Sequence, residues 1–143
     1  MVSLDHIALI VSSEESLRFY ERLGFREFKR IERSYDNVVF MECGLVILEI
    51  FIDPNHPERM TDPEAKGLRH VAFTVDNLDE ITKVLNCEEV RTDWFGNRFV
   101  FTADPDGQPI ELKEKTTNCA AYNIKENWMQ EYKKQFGTES SFS

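Results

Sequence analysis

A chain of 143 residues with 41% hydrophobic and 12% aromatic content can bury one substantial core but is short for two independent domains. Its net charge of -9, without any Lys/Arg cluster, argues against nucleic acid as a partner, because neutralising phosphates requires a basic face. No run approaches the ~20 apolar residues of a membrane span, and no basic leader precedes the first apolar stretch. The reading excludes a membrane partner and expects a soluble, cytoplasmic protein with a small-molecule substrate. Cys43, Cys87 and Cys119 form no CxxC pair and cannot all pair within one chain, which suits reduced thiols.

In chain order, the first predicted strand covers 4–11. Ile7, Leu9 and Val11 point one way and His6, Ala8 and Ile10 the other, so both faces are expected to be covered. Ser12 and Ser13 then offer an N-cap with Glu15 able to reach back. Leu17, Tyr20 and Leu23 recur at helical spacing and Gly24 stops the helix, which predicts a helix over about 14–23. Strands follow at Phe25–Ile31, Val38–Glu42 and Leu45–Phe51, the last two joined by a tight turn at Cys43-Gly44. The stretch from Ile52 to Gly67 is rich in Pro, Asp, Glu and Asn and reads as a surface connection. At about 16 residues it exceeds the usual loop length, as a segment covering a site does.

The order then recurs. A strand over 68–75 leads to a helix from about Leu78 to Leu85, capped by Asp76 or Asn77, with Leu78, Ile81 and Leu85 inward. Strands near 88–93, 97–103 and 109–115 complete this half, and Asp104-Pro105-Asp106-Gly107 is a turn signal before the last. Residues 116–143 place Ala121, Ile124, Trp128 and Tyr132 on one helical face, predicting an amphipathic helix followed by a flexible polar end.

Each half is thus strand, helix and three strands, and the halves repeat in residues as well as in order. Leu4-Asp5-His6-Ile7-Ala8-Leu9-Ile10-Val11 returns as Leu68-Arg69-His70-Val71-Ala72-Phe73-Thr74-Val75. Both halves close on a glutamate in an apolar run, Leu48-Glu49-Ile50 and Ile110-Glu111-Leu112. An unpaired carboxylate buried in such a run costs several kcal/mol, so Glu49 alone would call for a partner arginine or an edge strand reaching water. A lone strand histidine is usually a hydrogen-bonded core residue. Four such coincidences at equivalent positions change the balance. Should the halves pack about a pseudo-twofold axis, His6, Glu49, His70 and Glu111 converge on one concave surface as two imidazoles and two carboxylates, a donor set for a divalent ion.

The repeat, the two His-[Ile/Val]-Ala strands, the paired glutamates and Asp104-Pro105-Asp106-Gly107-Gln108-Pro109-Ile110-Glu111-Leu112 resemble the vicinal oxygen chelate superfamily, specifically its glyoxalase I-like branch. The resemblance covers about 1–115. It implies an α+β fold of two tandem βαβββ modules, about 1–51 and 68–115 joined by the loop 52–67, forming a cup-shaped mixed sheet. It implies His6, Glu49, His70 and Glu111 as ligands of zinc or nickel, with cobalt, manganese or iron as alternatives. It further implies a lyase or isomerase of lactoylglutathione lyase type, working by proton transfer through a metal-stabilised enediolate, with Glu111 as the base and Glu49 second. A homodimer is expected, its sites within one chain or shared between two.

Other members resemble this chain less closely in their ligands. Ring-opening dioxygenases and fosfomycin-modifying thiol transferases lack a carboxylate at the position matched by Glu49, and the epimerase branch carries an amide there. Drug-sequestering relatives of the bleomycin resistance type keep the cup without the metal and form a different functional class. Substrate contacts are less defined. Arg98 either faces the cup or is a solvated strand arginine, Trp94, Phe95 and Phe101 line a pocket or pack as ordinary core, and His56 reads as a solvated loop residue.

Overall fold

The computed structural model describes residues 1–115 and 132–137. Its first half contains β1 (Ile7–Val11), α1 (Glu15–Arg22), β2 (Arg26–Glu32), β3 (Asn37–Cys43) and β4 (Val46–Ile52). The second contains β5 (Val71–Val75), α2 (Leu78–Val84), β6 (Arg91–Thr92), β7 (Arg98–Ala103) and β8 (Pro109–Glu114). The strands form two four-stranded mixed sheets of the same topology, ordered β1-β4-β3-β2 and β5-β8-β7-β6. In each, the first strand runs parallel to the last while the remaining pairs are antiparallel. Two tandem βαβββ modules are therefore present, as the repeat predicts.

The alternation of side chains decides which residues each sheet hides. Leu48 and Ile50 of β4 and Ile110 and Leu112 of β8 are fully buried on the faces turned to the core. Glu49 and Glu111 fall between them and take the opposite faces. The two-sided cover expected for β1 is corrected: Val11 is buried, but Ile10 on the other face is 55% exposed. One face of this sheet is open in the single chain, and neither glutamate is sealed in apolar surroundings: the side chains of Glu49 and Glu111 retain 21% and 17% exposure.

A single apolar cluster joins the modules, drawing Leu17, Tyr20 and Phe25 from the first and Leu78, Val100 and Leu112 from the second, with Phe25 against Phe73 at 5.5 Å. Polar ties cross the same seam. Tyr20 Oη donates to Asp104 Oδ2 at 2.8 Å, the Ser12 amide to Asp106 Oδ2 at 2.9 Å, and the Ser12 hydroxyl to Asp106 Oδ1. The Asp104-Pro105-Asp106-Gly107 turn is built for this role. Asp104 Oδ1 accepts from the amides of Asp106 and Gln108 at 2.9 and 3.0 Å, while Gly107 takes φ +86°.

Burial raises the Asp104 carboxyl above its ordinary range although the Tyr20 hydrogen bond works against the shift. A carboxylate raised in the fold costs stability as pH rises through that value, and the Tyr20 bond offsets part of the cost. Tyr20→Phe is therefore expected to destabilise by about 1–3 kcal/mol at neutral pH and by less in acid, where Asp104 is protonated. Urea unfolding at both pH values measures this, and a pH-independent loss would assign the effect to packing alone.

Local differences from the predicted elements have identifiable causes. Capping of α1 by Ser12 or Ser13 is corrected: Ser12 is engaged by Asp106, Glu14 occupies the cap position without a side-chain bond, and Ser13 Oγ only meets the Glu15 amide at 3.3 Å. The α2 cap is as expected, with Asn77 Oδ1 accepting from the Glu80 amide at 3.1 Å. The tight turn is Gly44-Leu45, between paired Cys43 and Val46, with Gly44 at φ +58°. The strand expected near 88–93 shrinks to two residues, because Asp93 Oδ1 draws the amides of Phe95 and Asn97 into a turn, each at 2.9 Å. Residues 132–136 are helical; the expected helical face at Ala121, Ile124 and Trp128 lies outside the described residues, as does Cys119.

Candidate metal centre

His6 and His70 do not lie inside strands. Each is the residue just before one, where β1 and β5 have yet to begin their ladders. The parallel register then does the same thing twice: Ala8 stands beside Glu49 and Ala72 beside Glu111. Alanine leaves space over the neighbouring carboxylate, and the preceding histidine turns into it. His6 Nε2 comes to 3.3 Å from Glu49 Oε2, and His70 Nε2 to 3.9 Å from Glu111 Oε2.

These separations suit two donors sharing one ion. Nitrogen and oxygen ligands about 2.1 Å from a metal and at right angles to each other stand about 3 Å apart. The far side of each imidazole differs. His6 Nδ1 bonds Asp5 Oδ2 at 2.7 Å, a contact that fixes the ring as outer partners of metal-bound histidines do, and that raises the His6 pKa. His70 Nδ1 is buried without a hydrogen-bond partner among the described residues, its ring edge-on to Phe101 at 5.0 Å. The donor types and spacing of both pairs fit a divalent ion. What a single chain does not do is bring the pairs together: among the described residues, no group of three or more His, Cys, Asp or Glu stands close enough to hold a metal. Each module presents one His–Glu pair of the four candidate ligands.

Of the other candidate residues, Phe101 belongs here, registering beside Glu111 and against His70. Arg98 does not face the site; it reaches toward α2, pairing with Asp79 at 2.7 Å and Glu114 at 3.1 Å. Glu114 and Glu111 lie an odd number of residues apart and so on opposite faces of β8, and Arg98 goes with Glu114. Trp94 is 95% exposed at a turn, and Phe95 is half-buried. His56 lies in the connection with Nε2 3.5 Å from Asp53, exposed as expected.

A cavity of about 510 Å³ opens beside His70, between the connection and the second sheet. Its wall includes Arg59 and Thr61 of the connection, Arg69 and His70 before β5, and Arg91 and Phe101 of the sheet. The arginines were not singled out by sequence. The only signal, and for Arg59 alone, was the length of the 52–67 segment, which does cover a cavity.

The sequence profile of the Glyoxalase/Bleomycin resistance protein/Dioxygenase superfamily matches residues 3–112. The chain belongs to this superfamily. The chain is similar to protein YwkD of Bacillus subtilis (strain 168), 44% identical over 124 residues, covering 79% of this chain and 97% of that one. Protein YaeR of Escherichia coli (strain K12) is 38% identical over 122 residues, 77% and 94% of the two chains. The crystal structure of a glyoxalase family protein from Enterococcus faecalis superposes with a TM-score of 0.71 at 34% identity, covering 78% of this chain and 97% of its own. More distant superfamily folds include lactoylglutathione lyase from Agrobacterium tumefaciens, with TM-score 0.57 at 21% identity over 78% and 92% of the chains. Another is the fosfomycin resistance protein FosX from Listeria monocytogenes, solved with Mn(II), with TM-score 0.66 at 18% identity over 90% and 98%.

Proposed function

We propose that this superfamily member is a divalent-metal-dependent lyase or isomerase of glyoxalase I type, with His6, Glu49, His70 and Glu111 as metal ligands. Its substrate in this reading is a small oxygenated metabolite or a thiol adduct of one. The observation that carries the reading is the same His–Glu pair built twice by the same register, at 3.3 and 3.9 Å. The Mn(II) in FosX and the activity named for the Agrobacterium tumefaciens lyase support a metal-dependent reaction on this fold. Two imidazoles and two carboxylates suit zinc or nickel, with cobalt, manganese or iron as alternatives.

Two copies complete the centre. In the homodimer, His6 and Glu49 of one protomer meet His70 and Glu111 of the partner subunit. The separation of the pairs within a chain supports this arrangement, as does the exposed Ile10 on the open face that also carries Glu49.

A bound divalent ion supplies a Lewis acid for the charge that develops on a substrate oxygen. The chain's own residues supply the rest. Glu111 takes a proton from carbon at a carboxylate oxygen and returns it to the neighbouring carbon. Glu49 is the second candidate for this step. Glu111 is favoured because the cavity opens on its side, where His70 and Phe101 stand. Phe101 keeps the approach apolar and limits water.

Metal analysis after incubation with Zn, Ni, Co and Mn, followed by a screen that includes the hemithioacetal of methylglyoxal and glutathione, tests the proposal. Protein that stays metal-free would instead be a small-molecule binding protein of the sequestering type. Retention of metal should also depend on pH. A proton on His6 competes with the ion, and the Asp5 contact holds that proton to higher pH, so affinity falls as pH drops through the raised value. Asp5→Asn should move this acid limb to lower pH in equilibrium dialysis; an unmoved limb would remove His6 from the ligand set.

A further inference from the structure

The cavity beside His70 holds donors that the proposed chemistry leaves unused. Three buried side-chain polar atoms have no hydrogen-bond partner among the described residues: Arg59 Nε, His70 Nδ1 and Asp93 Oδ2. The last lies 2.7 Å from Lys113 Nζ, so its charge is met. The first two belong to residues that wall this one cavity. A native fold leaves a buried donor unmatched where a ligand, ion or water completes it.

Arg59 is held in place for such a role. Its Nη2 donates to the main-chain carbonyl of Arg69 at 3.0 Å and reaches Glu64 at 3.4 Å, and Glu64 in turn accepts from Arg69 Nε at 3.0 Å. The guanidinium is thereby pinned to the residue preceding His70, with Nε uncommitted among the described residues. Arg91 stands on the same wall, steadied by Phe99 at 5.4 Å and by Glu88 at 3.5 Å. Three guanidiniums therefore face two carboxylates here, in a chain whose net charge is -9. A local excess of cations on so acidic a protein concentrates anions where they are otherwise repelled. The planar fork of arginine matches the paired oxygens of a carboxylate or phosphoryl group.

We propose that this cavity is an anion subsite for the substrate, which carries a carboxylate or phosphoryl group received by Arg59 with Arg91 in support. The anionic end sits under the connection while the reacting end reaches the His70–Glu111 pair. This rests on the reading of that pair as half of the metal centre, and the test separates the two.

Propionate and methylphosphonate are titrated calorimetrically into the metal-free full-length protein, so that no bound ion can be the anion's partner. Zinc binding is titrated separately. Saturable binding of either anion is expected, weakened tenfold or more in Arg59→Met, partly restored in Arg59→Lys, and weakened several-fold in Arg91→Ala. The tighter of the two anions assigns the group. Arg59→Met should keep the zinc stoichiometry of the unaltered protein. Thermal melts identify any variant that fails to fold, in which case Arg59→Lys and Arg91→Ala decide. Absence of saturable binding, or binding unchanged in Arg59→Met, would overturn the subsite whatever the zinc result and leave Arg59 as a pin for the connection. Anion binding through Arg59 without zinc binding would keep the subsite and remove the metal reading.

Discussion

Two variants that each lack tight metal binding should recover it when combined. His6→Ala/Glu49→Ala destroys the donors of the first module and His70→Ala/Glu111→Ala those of the second. If each centre joins the first module of one protomer to the second module of its partner, a heterodimer of the two variants contains one centre with all four ligands and one with none. Random re-association makes about half of all dimers mixed, so about a quarter of the unaltered metal content per chain should return. Activity should return in the same proportion. Centres built within single chains would recover nothing, and that outcome would refute the shared arrangement. The geometry favours recovery: within one chain the His6–Glu49 and His70–Glu111 pairs each close to within 4 Å, yet no third ligand joins either among the described residues. Two donors fall short of the three or four protein ligands that zinc sites use.

Glu111→Gln should reduce turnover by about 10²–10⁴-fold, with kcat carrying the loss and KM changing little. The replacement keeps the shape and an oxygen able to face a metal, but removes the group that accepts a proton. On the energy scale of barriers, a thousandfold loss is about 4 kcal/mol, more than a surface ion pair or one hydrogen bond supplies. Metal content measured in parallel separates the roles. A variant that binds metal and retains full activity would exclude Glu111 as the base and move the step to Glu49, whose Gln variant provides the matching comparison. Loss of metal together with activity would limit Glu111 to ligation.

The modular fold was readable because its signals are local and occur twice. Alternation of Leu48, Glu49 and Ile50, repeated at Ile110, Glu111 and Leu112, marks closing strands whose glutamates must leave the core face. Gly24 marks a helix end by its backbone freedom, and Asp76-Asn77 marks a helix start, where the structure selects Asn77 as the cap. Ser12 shows where such reasoning fails. It reads as a helix cap, but Asp106, 94 residues away, competes for its amide and hydroxyl. Arg98 was similarly open between two faces until the partners Asp79 and Glu114 settled it.

The residue sequence by itself determined the repeat, the order of strand, helix and strands in each half and the chemical types of four candidate ligands, since strand periodicity and turn residues act over a few positions. Only the tertiary structure decided that the candidate ligands come as two separate His–Glu pairs, that one face of the first sheet is open, and that Arg59, Arg69 and Arg91 gather around His70. Those outcomes depend on how elements far apart in the chain pack. No local pattern records that packing, because Phe25 against Phe73 and Tyr20 against Asp104 bring together residues with no shared periodicity.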